Sequence, residues 1–114
     1  MNETTYFQAV LTAGGSATFL HTARVFDPLW RTLVVGEDAD VLVAWKSRSL
    51  DHNFWATAWL GQYDKRVVQP CLWGTVILCG VDGGAPTDLD PAVAYDVLTV
   101  SRAMYQQFHR PEPA

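Results

Sequence analysis

The last third of the chain holds the one segment whose periodicity leaves a single choice of structure. Asp90 offers a capping carboxylate and Pro91 suits a first helical position, where its missing N–H costs nothing. Ala94, Val97, Leu98, Ser101, Met104, Tyr105 and Phe108 then recur at helical spacing, while Asp96, Thr99, Arg102 and Gln106 fall toward water. Asp88 and Asp90 complement the positive end of the helix dipole, and Arg102, His109 and Arg110 the negative end. A single helix covers only one face of a sheet, so whatever precedes it must close its other face by curling or by meeting another copy of the chain.

What precedes it reads as extended chain. Thr5–Thr12 is rich in β-branched and aromatic residues and leads into Ala13-Gly14-Gly15-Ser16, a hairpin turn by composition. Ala17–Phe26 alternates and answers as the second strand, although Ser16 also suits the cap of a short helix. Asp27-Pro28 breaks the pattern. Leu29–Val35 and Val41–Lys46 flank the acidic turn Gly36-Glu37-Asp38-Ala39-Asp40 and form the clearest hairpin. After a polar connection, Ser47–His52, the segment Asn53–Tyr63 carries Trp55, Thr57, Trp59 and Tyr63 on one face of a strand. Residues four apart are co-facial in a helix too, and strand is preferred. Val67–Val81 is apolar on both faces, as a central strand covered on both sides would be, with Pro70 marking a bulge or the true start. Gly80–Pro86 is a loop by composition.

The expected architecture is therefore α+β: an antiparallel, meander-like sheet of about five to six strands with one C-terminal helix packed on one face. Residues 1–109 form a single domain, and Pro111 and Pro113 leave 110–114 as a disordered tail. The 114 residues bury about two-thirds of their extended surface on folding, enough for a core without disulfides or a structural metal.

Function is less constrained. A net charge of −4 with scattered basic residues argues against nucleic acid, whose phosphates an acidic surface repels. The opening residues lack the basic start and apolar run of a signal peptide, and no apolar stretch is long enough to span a bilayer, so a cytoplasmic protein without membrane contact is expected. Cys71 and Cys79, eight apart in one strand, are too distant to bond to each other and read as small buried hydrophobes. His21, His52 and His109 have no ligand spacing, and Asp82, Asp88 and Asp90 do not follow a calcium loop, so neither metal nor other cofactor is expected. Gly80–Gly84 lacks the Gly-Lys-Ser/Thr of a phosphate loop, and no Gly-x-Ser-x-Gly elbow is present.

Three features remain. The aromatic stripe Trp55, Trp59 and Tyr63 suits either a binding surface or the core under a helix. Asp51-His52 offers a base and a carboxylate, provided a loop lets neighbours meet; a solvated polar loop is the plainer reading. His21 lies on an apolar strand face with Phe19, where a histidine is ordinarily part of the packing. These residues point to a small acidic protein-binding domain, of inhibitor, immunity-like or regulatory type, without catalysis and self-associating as a homodimer. The alternative is a small-molecule-binding domain or enzyme with a pocket between sheet and helix.

Overall fold

The computed structural model describes residues 6–22, 30–46, 51–67 and 71–108, with backbone only at 22 and 101–108. Its elements run β1 (Tyr6–Leu11), β2 (Ala17–Thr22), β3 (Trp30–Val35), β4 (Val41–Lys46), α1 (Phe54–Tyr63), β5 (Val76–Asp82), β6 (Ala85–Thr87) and α2 (Pro91–Phe108). The class is α+β, with an antiparallel sheet ordered β2-β1-β5-β4-β3 and β6 pairing with β5. The order is not that of a sequential meander. Two local hairpins, β1–β2 and β3–β4, are joined by β5 inserted between them.

The insertion follows from composition. β5 is apolar on both faces, and Val76, Ile77, Leu78, Cys79 and Gly80 are all buried. A strand apolar on both faces belongs in the interior of a sheet, where both faces are covered, and β5 takes such a central place. Val76 and Leu78 join Ala9, Leu11, Val41 and Val43 in the main core, and Val93, Ala94 and Val97 of α2 belong to the same cluster. Ile77 and Cys79 lie on the opposite face with Ala44 and Gln8, which are buried as well.

The turns show why the hairpins form where they do. Thr12 N–H donates to the Ser16 carbonyl (2.9 Å), and the two hydroxyls meet at 2.7 Å. Gly15 within that turn has φ +94°, and a Cβ there would fall 2.7 Å from the Trp55 ring, so glycine is required twice over. In the second turn Ala39 N–H donates to the Gly36 carbonyl, and Ala39 takes a left-handed φ of 51°.

The main departure is α1. The segment expected as a strand over Asn53–Tyr63 is a ten-residue helix over Phe54–Tyr63. Its residues are apolar almost all round, so alternation and helical spacing fit equally well. The cap decides. Asn53 Oδ1 accepts from Ala56 N–H at 3.0 Å, while its Nδ2 donates to the carbonyls of Leu11 (3.0 Å) and Gly74 (2.7 Å). Asn53 is fully buried, and its own N–H donates to the Leu72 carbonyl, so this one side chain fixes the helix start against β1 and the approach to β5. Ala56, Trp59 and Leu60 then bury one helical face.

Other expectations are corrected in detail. Of Val67–Val81, the described residues are strand from Val76 onward; residues 71–75 are irregular apart from a bridge between Trp73 and His52, and residues 68–70, Pro70 included, lie outside the described residues. Cys71 is exposed rather than buried, because it precedes the strand. The glycine loop is instead a tight hairpin through Gly83 and Gly84 into β6. In α2, Asp90 Oδ1 accepts from Ala92 N–H at 2.8 Å as expected, yet Leu98 is exposed, and the buried stripe runs through Val93, Ala94 and Val97. The end of the second expected strand, Ala23 to Phe26, the side chains of Ser101 to Phe108, His109 and the 110–114 tail lie outside the described residues.

Candidate functional site

Helix α1 carries the chemistry of interest at both ends. At its N-terminal end, the backbone bridge between His52 and Trp73 holds two neighbouring stretches together, and Gly74 N–H donates to the Asp51 carbonyl at 2.6 Å. The His52 ring packs edge-on to Trp73 (5.2 Å between centroids) and to Phe54 (6.4 Å). Trp73 is 38% and Phe54 43% exposed, so the two large rings and the imidazole make one open aromatic patch. Thr57 Oγ1, already accepting from Leu72 N–H, lies 3.5 Å from His52 Nε2, at the limit of a hydrogen bond. Beside the patch, Asp51 lines a shallow cleft of about 560 Å³ with Trp30, Lys46, Gly74 and the β1–β2 turn, and Lys46 Nζ sits 5.5 Å from the centroid of the Trp30 ring.

The C-terminal end of α1 is built differently. Trp59 and Tyr63, one turn apart, stack at 4.9 Å with their planes 19° from parallel. With Gln62 they face Asp96, Thr99 and Val100 of α2 across a groove of about 370 Å³. The Tyr63 hydroxyl donates to Asp40, 3.1 and 3.2 Å from its two oxygens. Burial first, then this hydrogen bond and the charges of Asp40, Asp90 and Asp96 push the phenol up to about 12. One residue on, Asp64 closes the helix against the β3–β4 turn. Its carboxylate accepts from Gly36 N–H (3.0 Å) and from Arg66 Nε and Nη2, and Arg66 Nη2 also donates to the Gly36 carbonyl (2.6 Å). The Arg66 side chain and the backbone donors hold the Asp64 carboxyl well below the usual carboxylate range.

The residues singled out from sequence are therefore distributed over three places. Trp55, Trp59 and Tyr63 keep one side of α1 despite the change of element, since residues four apart remain co-facial. Trp55 lies against the β1–β2 turn at Gly15, Trp59 is 2% exposed and fills the core, and Tyr63 is half-buried at the groove. Asp51 and His52 share a loop beside Trp73. His21 stands apart on β2 with its ring 5.3 Å from Phe7, which in turn stacks on Phe19. Sequence reasoning passed over Phe54, Trp73 and Asp96. Trp73 sits in an apolar run whose pattern is that of a strand, and the spacing of Asp96 marks only a solvated helix position.

Burial pushes the Cys79 thiol up to about 11. Among the described residues, no group of three or more His, Cys, Asp or Glu side chains is placed to hold a metal ion, and no helix is long and apolar enough to cross a membrane. Compared with known protein families, curated proteins and solved structures, the chain has no significant match to any of them.

Proposed function

We propose that this domain binds another protein, a distinct partner or a second copy of itself, through the aromatic patch at the start of α1. The observation that carries the reading is the exposure of Phe54 and Trp73 around His52. Large aromatic rings offer much contact area at little cost in side-chain entropy, and aromatic residues are enriched at interface centres. The cleft beside the patch, with Lys46 and Asp51 on its walls, supplies the polar rim such an interface needs. The net charge of −4 steers a basic partner toward the domain in preference to a second copy of itself, in keeping with a regulatory or inhibitory binding domain.

The test is the native mass of the protein gently isolated from the cells that make it, for wild type and for the double variant Phe54→Ser/Trp73→Ser. Both side chains are only partly exposed and pack on His52, so circular dichroism and a melting curve first establish that the variant is folded at the temperature of the assay. A second polypeptide, or a second copy, present with wild type and lost from the variant supports the reading. The same assembly in both, or a monomer in both, refutes it.

A further inference from the structure

The sheet ends at β3, and among the described residues no strand pairs with its outer edge. Arg31, Thr32, Leu33 and Val34 are all exposed. Leu33, opposite the core residue Val43 on the face that carries the helices, is 37% exposed, and Val34, on the other face, 46%. Helix α2 reaches the opposite outer strand, β2, instead. Sheet edges are ordinarily guarded by proline, a bulge or inward charge. β3 has no proline, its register with β4 runs unbroken, and Arg31 is its one charge.

The ladder says which backbone groups point outward. Val81 N–H donates to the carbonyl of Asp40, its partner one step beyond the Val41–Gly80 pair. Bonded and non-bonded pairs alternate in an antiparallel ladder, so Leu42 and Ala44 also turn their backbone groups to β5, while Val41, Val43 and Trp45 turn theirs to β3. Their partners there are Val35, Leu33 and Arg31, which leaves the N–H and C=O of Thr32 and Val34 aimed away from the sheet.

We propose that two copies of this chain join their sheets through β3, antiparallel about a two-fold axis at Leu33. Charge and committed backbone groups select that register. Centred on Thr32, the strands would set Arg31 diagonally across from its own copy, like charge near like. Centred on Val34, Thr32 would meet Gly36, whose N–H is given to Asp64 and whose carbonyl accepts from Arg66. Centred on Leu33, Thr32 and Val34 of one copy exchange backbone bonds with Val34 and Thr32 of the other, and the two Leu33 side chains meet. Arg31 then lies opposite Val35 of the other copy and diagonal to its Glu37, at the acidic turn, so a second copy supplies the opposite charge by symmetry. The net charge of −4 opposes the approach, but charges farther apart than a Debye length of about 10 Å at 0.1 M salt are largely screened. The contact is small, so the dimer is weak and reversible. The edge is separate from the Phe54 and Trp73 patch, and the two readings fail separately.

The experiment is sedimentation equilibrium over a concentration series, beside disulfide trapping in a Cys71→Ser background that removes the exposed native thiol. Opposed Cα atoms at a non-bonded pair sit about 4.5 Å apart, within reach of a disulfide. Leu33→Cys should therefore form a covalent dimer under mild oxidation much faster than Thr32→Cys or Asp38→Cys, neither of which meets itself. Val34→Lys, at an exposed position, should weaken the dimer about tenfold or more, with circular dichroism confirming its fold. Should that variant fail to fold, the Leu33→Cys trapping decides alone. A concentration-dependent dimer that Val34→Lys weakens and Phe54→Ser/Trp73→Ser leaves intact supports the proposal. A monomer up to about 1 mM, a dimer unchanged in Val34→Lys, or Leu33→Cys linking no faster than Asp38→Cys overturns it. So does a different polypeptide that copurifies with wild type and is lost from Val34→Lys, since the edge then belongs to another chain.

Discussion

Replacing Asn53 by alanine removes three hydrogen bonds at once, one that caps α1 and two that hold the carbonyls of Leu11 and Gly74. Loss of the cap costs about 1 kcal/mol. Each buried carbonyl left without its donor costs about 1 kcal/mol more, at the low end because a carbonyl has a second lone pair to offer elsewhere. The sum, about 3 kcal/mol, is a large part of the 5–15 kcal/mol typical of a domain. Asn53→Asp separates the two roles. Aspartate is as good a cap as asparagine, so a residue acting only as a cap would tolerate the change. Here the carboxylate would face two carbonyl oxygens while fully buried, at a cost of about 3 kcal/mol or more. The expected order in urea unfolding, followed by tryptophan fluorescence, is therefore wild type well above both variants, with aspartate no better than alanine. Asn53→Asp should also recover part of its deficit at acid pH, where protonation restores a donor. An Asn53→Asp variant within about 0.5 kcal/mol of wild type would refute the view of Asn53 as a three-way tie.

Gly15→Ala should destabilise by more than about 1 kcal/mol, since it both strains a positive φ and drives a methyl into Trp55; thermal melts of Gly15→Ala alone and with Trp55→Leu check this, the second change relieving only the steric part. Tyr63 stays protonated up to about pH 12 in the folded state against an ordinary value of 10.0, so the native protein holds a proton that the unfolded chain releases. Its contribution to stability is constant below pH 10 and falls between about pH 10 and 12. Alkaline unfolding of wild type against Tyr63→Phe should show a shallower decline in the variant, and parallel curves would contradict it.

The sequence made the β3–β4 hairpin and α2 legible because each has punctuation beside its pattern: a five-residue acidic turn beginning at Gly36 in one case, Asp90-Pro91 in the other. Helix α1 lacked a decisive pattern, since Phe54 to Tyr63 is apolar on nearly every side and its turn-scale spacing also satisfies a strand. The telling residue was Asn53, read only as the start of a strand, whose partners Leu11 and Gly74 are remote in sequence. The position of β5 was illegible for the same reason: an apolar run on both faces announces a central strand but not which neighbours it will have. For the candidate sites, sequence supplied the aromatic residues but not their grouping. His52 was visible as a histidine beside an aspartate, whereas its contact with Trp73 depends on a bridge across an intervening helix.

The insertion of β5 between two finished hairpins also sets the order in which this molecule can assemble. β1–β2 and β3–β4 close through short turns and can form early, on local contacts alone. Neither can join the other directly, because Ala9 and Val43 meet only through Leu78 between them. Until that strand arrives, β1 and β4 each present an open edge and a bare apolar face, the conditions under which chains stick to one another. The rate-limiting event should thus be a long-range closure rather than hairpin formation. Weakening β5 would then slow folding, whereas weakening the outer strands β2 or β3 would chiefly speed unfolding.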